Sequence, residues 1–218
     1  MHELSGRMQE DDYGCYTVGS LYFDTEDYRL VRDSLEKPVY KEKLRLRGYG
    51  VPQGTASVFW ELKKKYDGVT YKRRAVLPLH RAEQYFRRGI PAEESQVLQE
   101  IDWFLQFYRP APRVYIAYDR TALSCPEIEG LRITFDHRLR WRDSRLRLSE
   151  GDDGALLLPE DEVLMEIKIP GAMPVWLAEL LSGMALFPTS FSKYGTCYRN
   201  YLSAGVTADT QKGGIICA

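Results

Sequence analysis

Between Lys41 and Arg47 the chain reads KEKLRLR. A cation recurs at every second position, and Leu44 and Leu46 sit between Lys43, Arg45 and Arg47. Extended backbone gives such a segment two distinct faces, because strand side chains alternate with a period of two. Lys41, Lys43, Arg45 and Arg47 then share one face and the leucines the other. Same-face neighbours lie ~7 Å apart. Two cations at that distance repel by roughly 0.6 kcal/mol in water and about 2 kcal/mol at an effective dielectric constant of 20. Four in a row are tolerable where fully wet, and costly in a cavity unless anions enter.

One such row reads most simply as the solvated side of a one-sided antiparallel sheet. The pattern recurs, however. Glu61, Lys63 and Lys65 share a face of the next extended segment, and Lys72 and Arg74 share one on the segment after it. Tyr118 and Arg120 form a further pair. Arg132, Thr134, Asp136, Arg138 and Arg140 form a longer row, and so do Glu162, Leu164, Glu166 and Lys168. The opposite faces are apolar enough to lie under helices: Leu44 and Leu46, Ile133 and Phe135, and Val163, Met165 and Ile167. The repetition favours a sheet that buries its outside and turns its charges toward a water-filled interior. A closed barrel of about eight strands leaves a lumen of that kind.

Period-two patterning predicts strands over Tyr16–Asp24, Val39–Tyr49, Ala56–Tyr66, Val69–Pro78, Arg113–Leu123, Leu131–Trp141 and Val163–Pro170. Asp67-Gly68 signals a tight hairpin. Helical spacing predicts helices over Thr25–Leu35, Arg81–Arg88, Glu93–Tyr108, Pro174–Phe187 and Tyr194–Leu202. Ser149–Pro159 reads as a mobile loop. Residues 1–202 read as one α+β domain, and 203–218 as a disordered tail.

Lys and Arg number 30 against 31 Asp and Glu, so the net charge is −1. A general nucleic-acid binder carries a positive excess, and no RNP-like aromatic motif is present. A basic site must therefore come from placement. Four scattered cysteines without CxxC spacing read as reduced thiols of a cytoplasmic protein. Three isolated histidines give poor support to a His-ligated metal or a Ser-His-Asp triad. No apolar run is long enough to span a bilayer. The four tryptophans, Trp60, Trp103, Trp141 and Trp176, read as core residues.

Guanidinium forks and ammonium groups grip phosphate oxygens, and carboxylates hold a divalent metal that bridges them. Cations running along several strands imply a chain of phosphates as ligand. There is no Walker loop to cradle a nucleotide. The grip must come from side chains.

Eight phrases then fall in a known order: SLYFDT (Ser20–Thr25), KLRLRGYG (Lys43–Gly50), WELKKK (Trp60–Lys65), YKRR (Tyr71–Arg74), YDRTA (Tyr118–Ala122), LRITFD (Leu131–Asp136), LMEIK (Leu164–Lys168) and SFSKY (Ser190–Tyr194). Over roughly residues 13–202 the chain resembles the VTC-type polyphosphate polymerase domain of the CYTH-like triphosphate tunnel superfamily. The resemblance implies an antiparallel tunnel with flanking helices and a metal-dependent phosphotransferase. Such an enzyme moves the terminal phosphate of ATP onto a growing polyphosphate chain with Mn2+ or Mg2+.

By motif, Arg45, Arg47, Arg120 and Arg132 resemble the residues that hold the triphosphate. Lys63, Lys72 and Lys193 resemble those at the donor end or on the chain. Lys43, Arg74 and Lys168 read as further substrate contacts. Glu166 resembles the metal-binding glutamate, with Glu61 as a second metal ligand or, on the plainer reading, a salt-bridge partner of neighbouring cations. In that family a strand bearing an E-x-K-Y-like stretch precedes the segment that opens here at Met1. The expectation is a tunnel lacking its first strand: a gapped barrel, a swapped homodimer, a weakened catalyst or a displaced gene start. Two alternatives keep the fold. One is a triphosphatase, with Asp119, Asp136 or Glu162 orienting water. The other is a non-catalytic polyphosphate-binding module. The arginines from Arg138 to Arg147 read as solvated loop residues or as a guide for an emerging polyanion.

Overall fold

The computed structural model describes residue 4 and residues 6–88 and 95–203. Nine strands form one antiparallel sheet: β1 (Gln9–Glu10), β2 (Tyr16–Asp24), β3 (Tyr40–Tyr49), β4 (Ser57–Tyr66), β5 (Val69–Pro78), β6 (Ala111–Ser124), β7 (Arg132–Arg142), β8 (Ala155–Leu156) and β9 (Leu164–Lys168). Their order is β5-β4-β3-β2-β6-β7-β8, with β1 on β6 and β9 on β7. The helices are α1 (Arg29–Leu35), α2 (Leu79–Arg88), α3 (Gln96–Tyr108), α4 (Val175–Gly183) and α5 (Lys193–Cys197), the last running into a π-helical turn at Tyr198–Leu202. The class is α+β, as the sequence predicts. The sheet is not closed: β5 ends it on one side, and β8 and β9 end it on the other. The predicted tail, beyond Ser203, lies outside the described residues, as does the start of the helix predicted over Glu93–Tyr108.

Local chemistry sets the frame. The β4–β5 hairpin turns at Asp67 and Gly68, both at positive φ (44° and 82°), which matches the twist of the flanking strands. Ser95 caps α3 by accepting from the Leu98 amide at 3.2 Å. Pairing registers then carry the period-two pattern across the sheet. Tyr22 pairs with Arg45, Arg45 with Glu61 and Glu61 with Arg74. Lys43 pairs with Lys63, and Lys63 with Lys72. Farther round, Arg120 pairs with Asp136, Thr134 with Glu166, and Arg132 with Lys168. Every expected site residue on a strand thus falls on one face, the concave one.

The convex face is the main apolar core. Leu44, Leu46, Val58, Trp60, Leu62 and Tyr115 pack against Ala82 and Tyr85 of α2 and Leu98, Ile101 and Phe104 of α3. Leu177 of α4 covers Leu123 and Ile133. Burying such side chains contributes about 1.5–3 kcal/mol each. A separate cluster fills part of the concave side. Val18, Tyr22, Val114, Ile116, Tyr118 and Leu139 pack against Val31, Tyr194, Cys197, Tyr198 and Leu202. The α5 segment and the turn after it therefore plug the β2–β6–β7 half. Over that half, apolar side chains take the place of the expected water-filled interior.

Two expectations are corrected by the β6–β7 pairing. Its register slips between Ala117 and Asp119, and Arg138 sits opposite the slip at φ 46°. A bulge of this kind shifts the alternation by one. Asp136 faces inward, but Arg140 and Arg142 turn to the convex side. Arg142 lies 3.9 Å from the Tyr115 ring centroid and donates to the carbonyls of Arg145, Arg147, Gly151 and Asp153. The row Arg132–Arg140 is therefore broken, and its later arginines guide no anion along the concave face. They pin the segment predicted as a mobile loop, part of which forms β8. Trp103 also departs from expectation: it is 53% exposed and stacks on Phe107 along the outer face of α3.

Candidate functional site

The concave face is organised by two buried carboxylates. Glu61, at the centre of β4, has a side chain only 2% exposed. Its Oε2 accepts from Arg45 Nε at 2.7 Å, and Arg47 Nε lies 3.5 Å away. Its Oε1 accepts from Arg74 Nη2 at 2.6 Å and pairs with Lys72 Nζ at 2.9 Å. Burial alone would push the Glu61 carboxyl up. Arg45, Arg47 and Lys72 outweigh it and hold the group well below the usual carboxylate range. One anion thus gathers four cations from the two flanking strands, β3 and β5.

Asp136, on β7, is fully buried. Arg120 grips it with a two-pronged contact, Nε to Oδ1 at 2.6 Å and Nη2 to Oδ2 at 2.8 Å. Lys193 Nζ lies 2.7 Å from Asp136 Oδ2 and 2.7 Å from Glu166 Oε1. Burial would lower the Lys193 ammonium, but Tyr118, Asp136 and Glu166 raise it above its ordinary value. Arg120 is likewise raised, Asp136 overcoming the effect of burial. Glu166 Oε2 stands 3.7 Å from Arg120 Nη2, and its side chain remains 53% exposed.

Aromatic side chains and the SFSKY segment join the two clusters. Lys193 Nζ sits 4.6 Å from the Tyr118 ring centroid, and the Arg120 guanidinium 5.1 Å from it. Arg45 donates to the Tyr22 hydroxyl at 3.1 Å, and Tyr22 stacks on Tyr194 at 4.9 Å. The Tyr194 hydroxyl donates to buried Asp24 at 2.8 Å, and Asp24 also accepts from the Leu30 and Val31 amides that open α1. Ser192 Oγ accepts from Lys43 Nζ at 3.2 Å while capping α5. Ser192, Lys193 and Tyr194 therefore make three different contacts across the concave face, to β3, to β7 and β9, and to β2.

The structure brings together Lys43, Arg45, Arg47, Glu61, Lys72, Arg74, Arg120, Glu166 and Lys193. Lys63 lies on the same face beside Lys43 and Lys72. Arg132 and Lys168 are paired at the far end of the face, where Arg132 lies 3.4 Å from Asp11 and from the Tyr16 hydroxyl. Sequence reasoning did not single out Asp136 as an anchor, Tyr118 as a bridge or Ser192 as a cross-face contact. Asp136 shares the parity of Arg132, so its face was readable, but its pairing with Arg120 was not.

Among the described residues no three His, Cys, Asp or Glu side chains gather as a metal cage. Magnesium and manganese are often held by one or two carboxylates plus phosphate oxygens and water. Glu166 fits that role through Oε2, which lies 3.7 Å from Arg120 on a half-exposed side chain, while its Oε1 accepts from Lys193. Glu61 does not, because both oxygens already accept from cations.

The structure is thus an open antiparallel sheet whose concave face carries rows of Lys and Arg from successive strands. The chain belongs to the VTC-domain family, whose model matches residues 2–202. A Bacillus halodurans protein proposed to be an adenylate cyclase has a similar structure, with TM-score 0.51 and 16% identity, covering 88% of this chain and 85% of that one. A Vibrio parahaemolyticus protein of like description gives TM-score 0.42 at 12% identity, over 84% and 77%. No curated protein matches the chain. No helix among the described residues is long and apolar enough to cross a membrane.

Proposed function

We propose that the protein is a polyphosphate polymerase that transfers the terminal phosphate of ATP to a polyphosphate chain. The observation that carries this reading is the shared concave face. Arg45 and Arg47 on β3, Lys63 on β4, Lys72 and Arg74 on β5, Arg120 on β6 and Lys193 at the start of α5 share the concave side, braced by Glu61 and Asp136. A single phosphate cannot touch cations so widely spread, whereas a linear polyphosphate can.

In this reading Arg45, Arg47 and Arg120 hold the triphosphate, with Arg132 and Lys168 at the far end. Lys43, Lys63, Lys72, Arg74 and Lys193 neutralise the donor end and the chain. An ionised oxygen of the acceptor's terminal phosphate attacks the γ-phosphorus. The new P–O bond forms as the bond to the β-bridging oxygen breaks, and ADP leaves with that electron pair. No proton is removed from the nucleophile, so no general base is needed. Positioning and charge neutralisation supply most of the rate. A divalent metal, Mn2+ or Mg2+, held by Glu166 would supply further neutralisation of phosphate oxygens.

Hydrolysis is the competing reading, and it needs a carboxylate free to orient water. Asp119 faces the convex side and bonds Thr17 and Arg140. Asp136 is committed to Arg120 and Lys193. Glu162 lies exposed before β9. These placements favour transfer. Incubation with ATP and manganese followed by gel separation tests the reading: a ladder of long chains supports it, and free phosphate as the sole product refutes it.

A further inference from the structure

Lysines at one end of the concave face stand apart from both carboxylate-centred clusters. Lys41 pairs with Lys65 and Lys43 with Lys63 in the β3–β4 register. They form a two-by-two block of like charges, and like charges directly opposite one another destabilise a sheet. Among the described residues none of the four has a carboxylate oxygen within 4.0 Å. Their polar contacts are neutral: Lys41 Nζ donates to the Ser34 carbonyl at 3.0 Å, and Lys43 Nζ to Ser192 Oγ. Burial lowers the Lys41 ammonium, and Lys65, Lys37 and Lys63 lower it further.

Around the opposite end the arginines are matched by acids, and Lys168, opposite Arg132, joins the four lysines in having no carboxylate oxygen within 4.0 Å among the described residues. Arg132 has Asp11, Arg138 and Arg140 have Asp119, Arg140 also has Asp152, and Arg145 has Asp153. The charge on the two ends is therefore unequal. A fold gains nothing from four opposed, unmatched lysines, and a polyanion passing over them gains from each.

We propose that Lys41 and Lys65 form the outlet of the site, a track that takes the part of a condensed phosphate chain extending beyond a triphosphate. The chain leaves over the start of β3 and the end of β4, and not past Arg132 and Arg138. This inference rests on the reading of the concave face as a polyphosphate site, and it adds the direction of the chain to that reading.

The test compares binding of tripolyphosphate and of polyphosphate about 60 units long, each over a range of salt concentrations. The full chain is used as wild type, as the double variant Lys41→Gln/Lys65→Gln, and as Arg138→Gln. Both substitutions in the double variant relieve repulsion, so it should fold at least as well as wild type, which thermal unfolding checks. The double variant should keep its tripolyphosphate affinity within about twofold. It should lose about tenfold for the long chain at low salt, and its slope of log affinity against log salt should fall by about 1.4, as for two lost phosphate contacts on a single strand. Arg138→Gln should leave both affinities unchanged. Unaltered long-chain binding by the double variant, or a loss caused by Arg138→Gln, overturns the outlet while leaving the site itself intact. Failure of the wild type to bind either ligand overturns the site and the outlet together.

Discussion

Replacing Glu61 by glutamine keeps the shape of the side chain and removes the charge that Arg45, Arg47, Lys72 and Arg74 share. Their contacts to it run from 2.6 to 3.5 Å. At an effective dielectric constant of 20, a unit-charge contact near 3 Å is worth roughly 5.5 kcal/mol before desolvation is counted. Desolvation offsets most of that sum. Removing one partner of a buried ion pair costs about 3–5 kcal/mol net, because the remaining charge is stranded. Lys72 and Arg74 are 46% and 39% exposed, so water takes up part of the loss. The lower value, about 3 kcal/mol, is expected. With a urea slope of about 2 kcal/mol per molar, the unfolding midpoint falls by roughly 1.5 M. Circular dichroism and tryptophan fluorescence follow the transition, the latter through buried Trp60. Tripolyphosphate returns negative charge to the same cations, so it should raise the variant's midpoint more than that of wild type. A variant within about 0.5 kcal/mol of wild type in phosphate-free buffer would refute the reasoning. So would an equal response of the two proteins to tripolyphosphate.

Three further outcomes are expected. Arg45→Ala leaves Glu61 with three cations, so the protein should stay folded by circular dichroism while turnover of ATP falls about 100-fold, the scale of losing one charge-stabilising donor; unchanged turnover would remove Arg45 from the site. Lys43 is lowered to about 8, by burial first and then by Lys63, Lys41 and Arg45. Its folded value lies below the ordinary lysine value, so the unfolded chain binds more protons between the two, and stability should rise as pH climbs from about 8 toward the unfolded lysine pKa of ~10.4. An anion favours the charged form, so tripolyphosphate binding should weaken above pH 8 in wild type and hold to higher pH in Lys43→Arg. A binding profile identical in the two would contradict this. Glu166→Gln should raise the manganese concentration needed for half-maximal turnover about tenfold or more, and an unchanged metal titration would strip Glu166 of that role.

The strands and their charged faces were legible because period-two patterning is local and strong. KEKLRLR, WELKKK and YKRR each declare two faces, and the Asp67-Gly68 turn links the second to the third. What could not be read was where register changes. Arg138 adopts a left-handed conformation that the sequence does not advertise with glycine, and the bulge there sends Arg140 and Arg142 outward. β1 and β8, two residues each, are too short to leave a periodic signal. The plugging of half the concave side by Tyr194 and Tyr198 depends on contacts between residues far apart in the chain, such as Tyr22 with Tyr194 and Tyr28 with Tyr198. At the site, the cations were legible from their rows. Their grouping was not, because pairing Arg120 with Asp136, or Lys193 with both Asp136 and Glu166, requires the fold.

The most direct trial of a single polyanion path is a crystal structure of the protein with tripolyphosphate and manganese. The prediction is a phosphate chain lying between the Glu61 and Asp136 clusters, with phosphate oxygens within hydrogen-bond distance of Arg45, Arg120 and Lys193 in the same molecule. Tripolyphosphate bound on the convex side, or confined to one cluster with the other untouched, would contradict it.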